Sequence, residues 1–435
     1  MSWTEEQVLA LSPDNSSSEA GRDLAKPEKW ISLNYNNKAL WGELKGSGKN
    51  PYQTQIDLQN IAFKCTCPSR KFPCKHGLGI FLIYARSIDL FQFSETMPQW
   101  VEDWISKRTE KEQKKPEPED KKAPDPAAQN KRATAREAKV SAGIEELRLW
   151  IKDLIRNGLI GIQEKSHEYW EQPAARMIDA QAPGLSLMVR RLGEINYFSE
   201  NWQSEVLQHL LRIYLLTESY MNLNQHSEEL QKEVRQLIGW TENQEELKKQ
   251  TGIADDWMVL SKHTNDEETL ISQRCWLKGK TSGKTALILN FYHQSFPSDI
   301  GLIPGSSIHA ELVFYPGTSQ QRALIKTKTE NKKNFIPEAL PTINSGKKIF
   351  NRFCRETHWA EEFPVVIDNV IFTKLNEEWY CSDTEKTLTP VHPSFENHWR
   401  LMALTGGNPA KISGIISTDY FLPLGVWINS TYNIL

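Results

Sequence analysis

No stretch of this sequence comes near the eighteen or so apolar residues needed to cross a bilayer. The longest apolar run, LGIFLIYA at residues 78–85, is far too short, so no membrane partner is expected. Excess charge of one sign is also missing. Lys and Arg number 52 against 55 Asp and Glu, for a net charge of −3. Bulk electrostatics therefore does not draw the whole molecule to a polyanion, and any nucleic-acid site has to be a local patch. Cysteine is scarce, with six in 435 residues. The opening MSWTEEQVLALSPDNSSSEAGRDL has acidic residues and no basic segment ahead of an apolar one. A signal peptide is not expected there. The expected compartment is a reducing cytoplasm, where clustered cysteines favour metal over disulfides. A glycine-rich dinucleotide fingerprint is lacking, and so is an internal repeat in the range of about 20–50 residues.

The rest of the composition is that of a folded chain. Hydrophobic residues make up 39% and charged residues 25%, ordinary globular values. The length suffices for two or three domains, each with its own core. The 15 tryptophans are scattered, which suits core and interface anchors better than one stacking surface.

Four segments follow from the pattern. Residues 1–108 read as a compact N-terminal unit. TEEQVLA opens a helix with Thr4 and Gln7 at capping-box spacing, SSSEAGRDLA forms a second. WISLNYNNKALWGELKG reads as strands around a turn, and YQTQIDLQNIAFKCTC as two strands joined at LQN. Residues 109–140 hold 16 charged residues and four prolines in 32 positions, without an aromatic. Such a segment buries too little apolar area to offset chain entropy, so a charged disordered linker is expected. Residues 141–250 carry helical periodicity, with Ile144, Leu147, Trp150, Ile151, Leu154 and Ile155 on one stripe. Residues 251–435 turn to short, β-branched strands interrupted by one helix near SGKKIFNRFCRETHW. The expected class is α+β multidomain: a small ββα domain, a helical domain, and a mainly antiparallel β domain whose form, barrel or sandwich, stays open.

Chemistry concentrates in FKCTCPSRKFPCKHGLGIFLIYAR, residues 63–86, where Cys65, Cys67, Cys74 and His76 fall within twelve positions. Residues i and i+2 of a strand share a face, so Cys65 and Cys67 present two thiolates to one side. PSRKFP then loops back, and Cys74 and His76 deliver a second pair as the chain enters a helix from about Gly77 to Ser87. Four such ligands with none left open fit one structural, tetrahedral Zn²⁺. Leu78, Phe81, Leu82 and Ala85 lie on one face of that helix and would pack on the strands. The metal would then hold a small ββα unit together.

This C-x-C-x6-C-x-H pattern, after a hairpin and before a helix, resembles the SWIM zinc finger. The wider stretch SSSEAGRDLA through LWGELKGSGKNPYQTQIDL to CPSRKFPCKHGLGIFL is similar to bacterial SWIM zinc finger family proteins. The resemblance implies zinc at Cys65, Cys67, Cys74 and His76 and a role in DNA or protein binding. It also implies an association with a MoxR-type AAA ATPase and von Willebrand A-domain proteins. Between Asn60 and Ser87 lie Lys64, Arg70, Lys71, Lys75 and Arg86 with no acidic residue, interleaved with Phe63, Phe72 and Tyr84. Such a face suits phosphate contact and base stacking, and its lysines would equally stabilise bound thiolates. The candidate partner-binding residues are therefore Lys64, Arg70, Lys71, Phe72, Lys75 and Arg86. A protein partner is the first expectation and DNA the alternative.

Two near misses stand aside. GKTSGKT at 279–285 puts three residues, not four, between Gly279 and Gly283, and its flanks read as strands. It is hairpin chemistry rather than a phosphate loop. Cys354 and His358 sit at i, i+4 on the expected helix, and Cys381, His392 and His398 could complete a second site with them, but their separations are irregular. No catalytic motif emerges, so a non-enzymatic protein is expected, with an enzyme in residues 251–435 the remote alternative.

Overall fold

The computed structural model describes residues 3–46, 50–59, 61–69, 71–113, 126–199, 201–267, 270–293, 302–318, 320–329 and 334–435. It is α+β, with three mostly antiparallel sheets and a helical bundle between the first sheet and the other two.

The N-terminal unit begins with α1 (Glu5–Leu9), whose Thr4 and Gln7 exchange the two capping-box hydrogen bonds at 3.1 and 3.2 Å. Helix α2 (Asn15–Leu24) is capped by the Asp14 carboxylate, which accepts from Ser17 N at 2.7 Å. Four strands follow in meander: β1 (Trp30–Tyr35), β2 (Ala39–Leu44), β3 (Tyr52–Asp57) and β4 (Ala62–Cys65). Helix α3 (Lys75–Arg86) lies across them, then β5 (Gln92–Phe93) adds to β1 in parallel and α4 (Gln99–Gln113) closes the unit. The sheet order is β4-β3-β2-β1-β5. Leu40, Ile56, Leu78, Phe81 and Leu82 form the core between sheet and α3. Ala39, Trp41 and Val101 pack α4 on the opposite face. Helices α2 and α3 meet through glycine. A Cβ on Gly21 would stand 2.8 Å from Leu78 Cβ, and one on Gly79 would stand 2.9 Å from Leu24 Cβ. Side chains at either place would push α2 off the finger.

Helix α5 (Pro126–Arg156) begins inside the stretch expected to be linker, so helix extends through residues 126–140. Ala127, Ala128, Ala133, Ala135 and Ala138 are strong helix formers, and Val140 is already buried in the bundle core. Residues 114–125, the centre of the expected linker, lie outside the described residues. The bundle continues with α6 (His167–Asp179), α7 (Pro183–Leu192), α8 (Trp202–Met221) and α9 (Glu228–Ile238), followed by the short α10 (Gln244–Lys248). Its core includes Ile144, Leu147, Ile151, Leu154, Trp170, Val189 and Leu210. The expected stripe on α5 holds except for Ile155, which is exposed.

Two β units share the remainder. Strands β6 (Ile253–Glu267), β7 (Leu270–Gly279), β8 (Thr285–His293), β9 (Ser307–Phe314) and β10 (Arg322–Thr329) close a barrel in the order β10-β8-β7-β6-β9. After α11 (Ile343–Glu356) comes a six-stranded sheet. Its strands are β11 (Phe363–Leu375), β12 (Glu378–Ser382), β13 (Thr389–Pro390), β14 (Ala410–Ile416), β15 (Phe421–Ile428) and β16 (Thr431–Ile434). A second helix, α12 (His398–Thr405), lies where only one interruption was expected. The units are knitted together. The Tyr432 hydroxyl donates to Leu260 O at 2.5 Å. Ile303, from the segment before β9, is buried in the N-terminal core. On the bundle side, the Glu361 carboxylate pairs with Arg212 and Arg191.

Candidate metal centre

Strand β4 delivers the first ligand. In its register Phe63 pairs with Ile56 and Cys65 with Thr54, so Phe63 and Cys65 both face the α3 side of the sheet. Thr54 is fully buried and its hydroxyl lies 3.2 Å from Cys65 Sγ. The chain turns through Cys67 and the exposed residues Pro68 and Ser69. It re-enters regular structure at Cys74, the N-cap of α3, in extended geometry that lets Leu78 N bond Cys74 O at 3.0 Å. His76 follows in the first turn. The helix thus starts two residues earlier than the expected Gly77, because Cys74 is itself the cap.

The four ligand atoms all lie within 4.8 Å of one another. His76 Nδ1 stands 3.8 Å from Cys65 Sγ and 3.9 Å from Cys74 Sγ. A tetrahedral Zn²⁺ with ordinary bond lengths requires edges of about 3.5–3.8 Å, so a small contraction would close the set. Cys74 and His76 are 2% and 4% exposed, while Cys65 and Cys67 are half-buried. The Tyr52 ring packs on His76 with centroids 5.0 Å apart and fixes the imidazole plane.

The electrostatics already suit a cation. The Cys65 thiol is pulled well below its usual range, chiefly by the hydrogen bond from Cys74, with help from His76 and Thr54. Cys74 is pushed up by the hydrogen bond with Cys65 and by burial, and Cys67 is raised mainly by burial. One sulfur thus carries charge that its neighbours share through protons. A metal ion replaces those protons, which ties binding to pH. Helix α3 also points its positive N-terminal end at the sulfurs. Donor set, spacing and charge fit zinc, which Cys65, Cys67, Cys74 and His76 would hold. Among the described residues this is the one group of three or more such side chains able to hold a metal.

The other expected site residues are not gathered into one patch. Lys64 alternates with Phe63 and Cys65, so it projects to the α4 side of the sheet. Lys71 stands on the finger loop, paired with the Asp14 carboxylate at 2.6 Å. Lys75 is exposed at the start of α3, and Phe72 is 39% exposed beside it. Arg86 is eleven residues along α3, about 16 Å from Lys75. There it binds Glu5 through Nε and Nη2, both at 2.8 Å. Arg70 lies outside the described residues. What the sequence reading missed is a cleft of about 630 Å³ beside the cluster, lined by Ser16, Lys45, Tyr52, Lys71, Lys75 and His76. Only the folding of α2 onto the loop creates it.

The second candidate cluster does not form. Helix α11 ends at Glu356, ahead of His358, and Cys354 Sγ faces Ala360 O at 4.0 Å. Cys381 is fully buried. His398 stacks on Trp379, and His392 bonds Ser394. GKTSGKT forms the β7–β8 hairpin, as its flanks indicated. Its turn amides, Thr281 N and Ser282 N, donate to the Asp255 carboxylate at 2.7–3.1 Å, so the chain's own side chain occupies the place an external anion would take.

Three cysteine sulfurs and an imidazole between a strand and a helix cap define a cysteine-rich structural zinc finger. Comparison with protein families agrees. Residues 52–85 match the SWIM zinc finger, and residues 135–238 match the SWIM-associated four-helix bundle domain. The chain thus carries a SWIM zinc finger and a SWIM-associated four-helix bundle domain. No curated protein and no solved structure matches it.

Proposed function

We propose that the chain is a non-enzymatic, cytoplasmic recognition protein. One structural zinc ion shapes its finger domain, which docks a protein partner. The closed Cys65–Cys67–Cys74–His76 set carries the zinc half of this reading, since it leaves no coordination position for a substrate. The choice of partner rests on how the basic residues are spent. Arg86 and Lys71 are already paired with Glu5 and Asp14, and Lys64 points to another face. Meanwhile Ile88, Leu90 and Phe93 stand 41%, 51% and 50% exposed within six residues just after α3. Apolar side chains clustered on a folded surface suit a protein more than a polyanion.

DNA remains the second reading because Lys45, Lys71 and Lys75 border the cleft beside the finger. Fluorescence anisotropy of the full chain with single- and double-stranded DNA across a salt series separates the two. The protein reading expects no binding even at low salt. Zinc-dependent binding that falls steeply with salt would replace it with the DNA reading. The family resemblance nominates a MoxR-type AAA ATPase and von Willebrand A-domain proteins as the first purified partners to try. Retention by the wild-type chain and loss with Leu90→Asp would support the apolar surface.

A further inference from the structure

The GKTSGKT hairpin, discounted as a phosphate loop, returns as one wall of a different site. A cavity of about 410 Å³ opens between this hairpin, the β9–β10 turn, α11 and the start of β11. It lies between the barrel and the six-stranded sheet, where ligand sites commonly form, and its size falls in the range that holds small molecules. Ile349 and Phe353 from α11, with Phe363 and Val365 from β11, make an apolar floor. The Phe353 and Phe363 rings pack with centroids 5.0 Å apart, which stiffens that floor.

The polar groups sit on the opposite wall. Lys278 and Lys284 both line the cavity, against one carboxylate, Glu338. Lys278 donates to Gly283 O at 2.5 Å. Its ammonium is disfavoured by burial, with Glu338 opposing that shift. The Gln321 amide is also on this wall, and its Nε2 is buried with no hydrogen-bond partner among the described residues. A buried donor left unpaired is costly, and an acceptor entering the cavity would satisfy it. An unpaired buried amide donor and the Lys278 amine stand across from an apolar floor. The exposed Lys284, whose ammonium lies 5.3 Å from the Phe314 ring centroid, adds a second amine within reach. The set complements one kind of molecule.

We propose that this cavity binds a small amphipathic carboxylate, its hydrocarbon body on Ile349, Phe353, Phe363 and Val365 and its acid group at Lys278, Lys284 and Gln321. The site begins at Lys278, far along the chain from the finger helix that ends at Arg86, and needs no metal. It gives the protein a small-molecule input separate from partner recognition.

The test uses the full-length chain and decanoate, with decanamide as the neutral control of equal length, each followed by isothermal titration. Saturable one-to-one binding of decanoate is expected, with decanamide weaker by about tenfold, as befits a lost charge-assisted contact. Ile349→Trp fills the cavity from a partly exposed position and should abolish binding, while an unchanged melting temperature shows that the fold survives. Lys284→Met should weaken decanoate by about fivefold or more and leave decanamide unchanged. Equal affinity for the two probes, no binding of decanoate, or binding that persists in Ile349→Trp would each overturn the assignment.

Discussion

The finger and the helical bundle solve the same problem by different means. In the bundle, long helices bury a continuous core in which Ile144, Val189, Val206, Leu210 and Ile213 are wholly inaccessible. Burial alone can hold such a unit. Between β4 and α3, by contrast, the chain crosses a loop that leaves Pro68, Ser69, Lys71 and Phe72 exposed, with apolar anchoring only at its ends. Little apolar area is available there to offset the entropy of ordering the loop. A metal bridging Cys65 and Cys67 to Cys74 and His76 supplies what burial does not. The lesson is local: zinc should govern the finger and leave the bundle indifferent.

The largest effect expected is from Cys74→Ser. Zinc content should fall from one per chain to none, and the finger should lose its protection, since structural zinc sites of this kind contribute on the order of 10 kcal/mol to folding. Metal analysis and circular dichroism check it. Lowering the pH acts in the same direction, because protons compete for the thiolates. The reciprocal variant is Trp170→Ala, which empties a fully buried site in the bundle. It should cost about 3–5 kcal/mol by denaturant titration while zinc stays bound. A bundle that melts when zinc is stripped, or zinc lost in Trp170→Ala, would collapse the distinction.

Smaller effects sharpen it. Asp255→Ala leaves the β7–β8 turn amides without their acceptor and should cost about 1–3 kcal/mol by thermal unfolding, with zinc unchanged. Thr4→Ala removes the side-chain acceptor of the α1 capping box, leaving Gln7 N uncapped, and should cost about 1 kcal/mol. Arg86→Ala should cost under about 1 kcal/mol, because both partners are more than a third exposed. Glu5 is held below its usual range mainly by its hydrogen bond with Arg86. The pair's contribution is therefore present at neutral pH and lost as the pH falls through the depressed Glu5 value. A stability difference between wild type and Arg86→Ala that fails to shrink in acid or salt would contradict the ion pair.

How much could be read in advance follows from where each signal resides. The metal ligands were legible because four donors lie within twelve residues, and strand and helix geometry brings them together locally. The capping box at Thr4 and the hairpin around residues 280–284 were legible for the same reason. The charged linker was read from composition, yet Pro126–Val140 is helix. The density of Lys, Arg and Glu lowered its apolar content while its alanines favoured helix, and only the bundle receiving Val140 decides between them. The basic face was over-read. Sequence proximity placed Lys64 with Cys65 and Arg86 with Lys75, but strand alternation turns the first away and a helix's length carries off the second. Both cavities were invisible, since their walls come from segments far apart in the chain.

The most direct test is hydrogen exchange of the full-length protein before and after zinc removal by a chelator. The account predicts one zinc per chain at the outset, and protection lost across residues 62–86 on removal while residues 140–238 keep theirs. Fresh protein that holds no metal yet protects residues 62–86, or loss of protection spread evenly over finger and bundle, would contradict it.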